Sequence, residues 1–455
     1  MRKFISSPAM ALEAEQLAQD NAMASISLEE EQMLIEDAAN DAVEVAADLA
    51  EADRAMDVAD ALEDLAVVAD QISEATPTDV ALVETAGALA VAGTDVEPED
   101  VVPALEGYVG KKIATEDFRT KAEGIWKSIQ AFLKQIWTKI ESFFYKIFGT
   151  IPALRRRIED MKLAVAAADK AGAVNDGKEI DLTVGVNALT VGGKPVTNEA
   201  QLTAAFKATS EAADYVFGKY MVAIAGRGEA IAKAIAAFDP VKPETSASAA
   251  LAAITAHTPP ALPGASKGNA TRFRSYNTTD GADLLCNQHL IYKAFTENKE
   301  VSVIGAMARQ SGARIEMEAT QGATPASNVI KFKPLSLAGS TKLLDEALDL
   351  LKTLEEHKRG PRGNALKASK KSMESASDKA QKAMAGVKPA EGASEAVAVP
   401  YFRALLNFNG AFAHWAQSPA MQMMQTGLTS VRAVSVVVAK SVAAHKAPAA
   451  AAAAK

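Results

Sequence analysis

The densest apolar signal in the chain is Ile125-Trp126-Lys127-Ser128-Ile129-Gln130-Ala131-Phe132-Leu133-Lys134-Gln135-Ile136-Trp137-Thr138-Lys139-Ile140-Glu141-Ser142-Phe143-Phe144-Tyr145-Lys146-Ile147-Phe148. Ile125, Ile129, Phe132, Ile136, Ile140, Phe143 and Ile147 recur every three or four residues, the period of one helix face. Trp126, Leu133, Trp137 and Phe144 widen that stripe, and lysines lie among them. A helix over 117–148 would be about 48 Å long. Burying about ten such side chains contributes on the order of 15–30 kcal/mol as an upper bound, so this helix must pack against something. Gly149 predicts a stop and Ile151-Pro152 a restart. Leu154-Arg155-Arg156-Arg157-Ile158 then opens a second helix to about Ala171, which makes 107–175 an amphipathic helical hairpin.

Downstream the pattern changes. Residues 179–184 and 188–196 alternate around Gly192-Gly193 and predict a β-hairpin. Helices are expected at 199–218 and 222–238, followed by a Pro-rich linker at 240–263. Short strands are expected at 271–276, 301–305, 313–318 and 328–333, enclosing a helix near 280–297. Residues 176–338 thus form an α+β unit. From 339 the chain reads as a basic helical C-terminal region, with Lys358-Arg359-Gly360-Pro361-Arg362, a lysine-rich helix to about 386 and an apolar helix over about 420–445. The fold class expected is mainly α with a small α+β portion: long amphipathic helices plus a β-hairpin and short antiparallel strands.

Upstream, Ser27-Leu28-Glu29-Glu30 opens a weakly apolar helix over 28–73, and 75–107 reads as a short helix followed by a linker. Charge divides the chain sharply. Residues 1–106 carry 26 acidic side chains against three basic ones, Arg2, Lys3 and Arg54, a net of -23. The whole chain has 57 acidic and 48 basic residues, so 107–455 holds 31 and 45, a net of +14. Residues 1–106 are read as an acidic, Ala-rich leader, helical or disordered. A body at +14 associates with a polyanion such as DNA, and a leader at -23 shields or templates it until removed.

Other chemistries find little support. The one cysteine, Cys286, excludes an intrachain disulfide framework, and Cys286-Asn287-Gln288-His289 is half of a zinc site with no second half. Gly226-Arg227-Gly228 lacks the rest of a dinucleotide fingerprint, and neither a Walker lysine, a Gly-x-Ser-x-Gly elbow nor an HExxH helix occurs. No catalytic residue, metal or cofactor is expected. Neither a signal peptide nor a membrane span is expected, because the apolar segment 434–444 is short and contains Lys440.

Lys112-Ile113-Ala114-Thr115-Glu116-Asp117-Phe118, Ile125-Trp126-Lys127-Ser128-Ile129, Ile136-Trp137-Thr138-Lys139-Ile140, Lys146-Ile147-Phe148-Gly149 and Pro152-Ala153-Leu154-Arg155 follow one another in an order that resembles the internal head proteins of phiKZ-like giant phages. The acidic leader, the hairpin near 180–196 and the final helix fit the same family. The resemblance implies a non-enzymatic virion protein made in the host cytoplasm with a propeptide. It would be assembled into the prohead beside other head proteins, trimmed by a phage protease and retained inside the head with packaged double-stranded DNA. It also implies cutting after a small residue, any residue and glutamate. Ala104-Leu105-Glu106, followed by Gly107, and Ala114-Thr115-Glu116, followed by Asp117, match at the charge switch; four further matches, ending at Glu13, Glu29, Glu44 and Glu63, lie inside the leader. Arg155, Arg156, Arg157, Lys358, Arg359 and Arg362 are the candidate DNA contacts.

Two other classes stay open at this level. Helix 117–148 could enter a membrane interface, in which case its aromatic stripe would be exposed. A hydrolase with an inhibitory acidic prosegment would show a convergent polar pocket within 180–335.

Overall fold

A computed structural model describes residues 47, 74–90, 109, 111, 116–175, 177–183, 185–265, 270–273, 276–295, 302–320, 329–359, 361–385 and 395–446. The helix expected at 28–73 lies outside these, apart from residue 47. The short helix expected within 75–107 is α1 (Pro77–Ala90), and Thr76 caps it. The Thr76 N–H donates to the Asp79 carboxylate at 2.9 Å and the Asp79 N–H donates to Thr76 Oγ1 at 3.2 Å.

Helix α2 (Glu116–Lys170) is one element, which corrects the expected stop at Gly149 and the hairpin of two helices. The cause is phase. Ile140, Phe143, Ile147, Ile151, Leu154, Ile158 and Val165 are all buried, so a single apolar seam passes through the Gly149–Pro152 turn at helical spacing. Pro152 lies on the exposed side, and the hydrogen bond it forfeits costs less than breaking the seam would.

Helix α3 (Glu199–Asp214), capped by Asn198 through the Gln201 N–H at 3.0 Å, a π-helical turn (Tyr215–Tyr220) and α4 (Met221–Ala236) follow without a break. The expected linker at 240–263 holds α5 (Pro243–Thr255). A proline is tolerated in a first helical turn, and the alanine-rich stretch behind it buries Ala247, Ala250 and Ile254.

The strands are short and antiparallel. Strand β1 (Val174–Asn175) pairs with β10 (His445–Lys446), and β2 (Ile180–Leu182) pairs with β9 (Ile330–Phe332). Strands β3 (Thr190–Val191) and β4 (Lys194–Pro195) close around Gly192 and Gly193 at φ +55° and +75°. The Gly-Gly turn is where the sequence puts it, but 180–182 pairs with 330–332 and not with 188–196, because Leu182, Ile330 and Phe332 share the core.

A four-stranded sheet runs β5 (Ala270–Phe273), β6 (Tyr276–Leu284), β7 (Gln288–Phe295), β8 (Ile315–Ala319). The helix expected near 280–297 is therefore a β-hairpin, and the strand expected at 301–305 is helix α6 (Val303–Ser311), capped by Ser302. Cys286 and Asn287 at the hairpin turn have φ of +62° and +53°, a left-handed pair that reverses the chain before the apolar run Leu290-Ile291-Tyr292. Helical period and β alternation are hard to separate in such short apolar runs.

Helices α7 (Leu337–Arg359), α8 (Pro361–Ala385), α9 (Glu395–Leu406) and α10 (Phe408–Ala444) follow, and β10 comes directly after α10. Helix α10 starts a dozen residues before the expected boundary and is apolar on nearly all sides, as the axis of a large core requires. α2, α3, α4, α7 and β8 pack around it. One apolar cluster joins residues from Ile140 to Val438. The fold is mainly α with a few short antiparallel strands, as expected.

Candidate functional site

The basic residues converge at the corner where α7 ends and α8 begins. Between His357 and Met373 the sequence has six basic residues, Lys358, Arg359, Arg362, Lys367, Lys370 and Lys371, and no acidic one. Leu366, Ser369, Met373 and Ala376 are buried, and Ser369 Oγ donates to the Ala225 carbonyl at 3.0 Å, so this face of α8 is clamped to α4. That clamp turns Lys367 and Lys371, one turn apart, outward into solvent. Lys370 lies between the two faces, with its Nζ 4.5 Å from the centroid of the Trp137 ring.

Helix α2 carries the second basic run, 155–157, on the side that meets α7. Arg155 meets Glu355 of α7 at 2.9 Å and Lys162 meets Asp345 at 2.5 Å, so the two helices run antiparallel. Glu355 lies three residues before Lys358. The 155–157 run therefore lies beside the end of α7, and Trp137, which Lys370 covers, is eighteen residues and about 27 Å back along the same helix. Leu154 and Ile158 point into the core, which leaves Arg156 exposed, Arg155 engaged with Glu355, and Arg157 half-buried. The backbone places Lys358 and Arg359 on the last turn of α7 and Arg362 on the first turn of α8. The sequence reading omitted Lys162, Lys367, Lys370 and Lys371, although Lys367-Ala368-Ser369-Lys370-Lys371 is visibly basic.

A neutral group sits beneath this charge. The His357 ring lies 5.2 Å from Phe144 and 4.9 Å from Phe217. Burial, reinforced by the Lys367 ammonium, pushes its pKa down to about 4. The corner's charge at neutral pH therefore comes from Lys and Arg alone.

Of the cleavage candidates, Ala104, Leu105, Glu106, Gly107, Ala114 and Thr115 lie outside the described residues. Glu116 and Asp117 are the first two residues of α2, which starts one residue earlier than the expected boundary at 117. Ala75 of the leader forms a parallel bridge to Val109, and its N–H donates to the Lys111 carbonyl at 3.0 Å.

The remaining motifs serve packing. Cys286 Sγ lies 3.7 Å from Ser430 Oγ, and burial pushes its pKa up to about 11. Asn287 Oδ1 accepts the Gly193 N–H at 2.7 Å, and the Asn287 amide donates to the Thr320 carbonyl at 3.2 Å, joining the sheet to the Gly-Gly turn. In Gly226-Arg227-Gly228, a Cβ on Gly228 would lie 2.7 Å from Phe412, so that glycine permits a close helix crossing. Among the described residues, no group of three or more His, Cys, Asp or Glu side chains could hold a metal. From Trp137 to Phe148 the aromatic stripe faces the core, with Ile140, Phe143 and Ile147 buried. Within 400–444 an 18-residue window reaches a mean hydropathy of 1.4, apolar enough to cross a membrane, but 56% of that window is buried, as in a core helix.

No curated protein and no solved structure matches the chain. The family model of phiKZ-like phage internal head proteins matches residues 29–439, across the leader, the α2 stripe, the sheet and most of α10. The chain belongs to the phiKZ-like phage internal head proteins, structural components located inside the phage head.

Proposed function

We propose that this head protein is a non-enzymatic component that enters the prohead with its acidic leader attached and loses the leader to a phage protease. It then lies against packaged double-stranded DNA through the basic corner of α2, α7 and α8. The observation that carries this reading is the Arg155–Glu355 pair, which sets the 155–157 run beside the end of α7, where the basic stretch 358–371 begins. Lys and Arg dispersed over helix surfaces contact phosphates without reading base edges, so binding is independent of sequence and falls steeply with salt. Trimming after Glu106 reverses the net charge of what remains, from acidic to basic, and needs no change in the core. Trimming after Glu116 has the same electrostatic effect but requires the first turn of α2 to fray. The protein's synthesis in the host cytoplasm and its association with other head proteins belong to the same proposal.

The test is duplex-DNA titration of the protein recovered from particles, over a range of salt concentrations. A steep loss of affinity with salt and indifference to sequence are expected. Affinity that does not change with salt would overturn the DNA part of the reading.

A further inference from the structure

We infer that, before trimming, the acidic segment 28–73 docks in cis on the basic corner, so that leader and DNA are successive occupants of one surface. The inference rests on reading that corner as a polyanion surface, and it names the first polyanion.

The charge supports this occupant. Residues 28–73 hold 15 acidic side chains and one basic one, Arg54. At the corner, Arg155 and Lys162 already face carboxylates, but Lys367, Lys370 and Lys371 are in no ion pair among the described residues, and Arg156 is exposed. Three neighbouring ammonium groups on one helix repel one another, and a polyanion relieves this.

Connectivity supports docking within one chain. Ala75 is held to Val109 and Lys111, a few residues ahead of α2, so the acidic segment joins the body beside the helix that carries Arg155–Arg157. Glu116 to Arg155 along α2 spans about 58 Å, and residues 28–73 reach about 69 Å even as a continuous helix and further when extended. The tether sets an effective concentration that can approach the mM range, which lets many weak ion pairs outcompete free polyanion. The interaction is largely solvent-exposed and must weaken with salt.

The experiment is zero-length carbodiimide cross-linking of the full chain at low salt, read by peptide mass spectrometry, with isotope-labelled and unlabelled chains mixed. Links should join carboxylates between Glu29 and Asp64 to Lys162, Lys367, Lys370 and Lys371, within single chains. They should fall about fivefold in about 0.5 M salt and in Lys367→Glu/Lys371→Glu. Thermal melting checks that this variant folds, and Lys367→Gln/Lys371→Gln provides the milder test. Links spread over all lysines in proportion to exposure, links unaltered by these variants, or links chiefly between chains would each overturn the inference. No DNA and no protease enter the experiment, so its failure is distinct from failure of DNA binding or of trimming.

Discussion

The guanidinium of Arg227 lies 4.7 Å from the centroid of the Trp415 ring, and both residues are buried. Arg227 Nε donates to the His257 carbonyl at 3.0 Å, its Nη1 lies 3.5 Å from the Ala313 carbonyl, and Trp415 Nε1 donates to the Ser311 carbonyl at 3.0 Å. One buried cation thus joins α4 and α10 to the ends of α5 and α6. Arg227→Met keeps an apolar stem but strands the carbonyls, and should cost about 1–3 kcal/mol. Arg227→Ala adds a cavity and should cost roughly 3–5 kcal/mol. Denaturant midpoints report both, and unchanged midpoints would show that this staple contributes nothing.

His357 should make stability depend on acid. Its folded pKa, about 4, lies below the ordinary 6.5 because burial first, and the Lys367 charge second, disfavour the imidazolium. The unfolded chain therefore takes up the proton first. Stability should be unaffected by this group above about pH 6.5, decline as pH falls toward about 4, and decline no further below that; at 1.36 kcal/mol per pH unit the loss is roughly 3 kcal/mol. His357→Phe should flatten this part of the profile in melts taken across the range. An identical slope in the variant would assign the pH dependence elsewhere.

Ile140 is 1% exposed at the centre of the α2 seam. Ile140→Asp buries a carboxylate with no partner and should unfold or aggregate the protein. A soluble variant with unchanged melting would mean that the stripe is not core and would revive a membrane role.

Gly228→Ala tests the helix crossing. The new Cβ would sit 2.7 Å from Phe412 Cε2 and 2.8 Å from Ser369 Cβ, so α4 must move from α8 and α10. A loss of about 1–3 kcal/mol is expected in chemical denaturation. A gain in stability, as an unconstrained Gly-to-Ala change in a helix would give, contradicts the crossing.

The sequence showed most clearly what repeats. The α2 stripe, the C-terminal helices and the Gly192-Gly193 turn were legible because local period and turn chemistry set them. Long-range pairing was not: β2 finds β9 across about 150 residues through shared burial of Leu182, Ile330 and Phe332, which no local pattern encodes. Gly149-Thr150-Ile151-Pro152 reads locally as a break, yet the seam on either side remains in phase and overrides it. At the candidate site, Arg155–Arg157 and 358–362 could be found by composition, but their adjacency needed the antiparallel α2–α7 pair. Lys370 is visible in the sequence as part of a basic run, but its place over Trp137 depends on two helices meeting.

Charge reversal tests the basic corner. Arg156→Glu/Lys367→Glu/Lys371→Glu, introduced into the mature protein, should lower non-specific duplex affinity at least tenfold at low salt. It should also reduce the salt slope by about 0.9 for each phosphate that the variant no longer neutralises. The same affinity and slope would place the DNA on another face.

Trimming at the charge switch is read from the N-terminal peptide of the protein in assembled particles. Mass spectrometry of that protein should find a start at Gly107 or Asp117, with residues up to Glu106 or Glu116 missing. An intact N-terminus at Met1 or Arg2 in mature particles would contradict it.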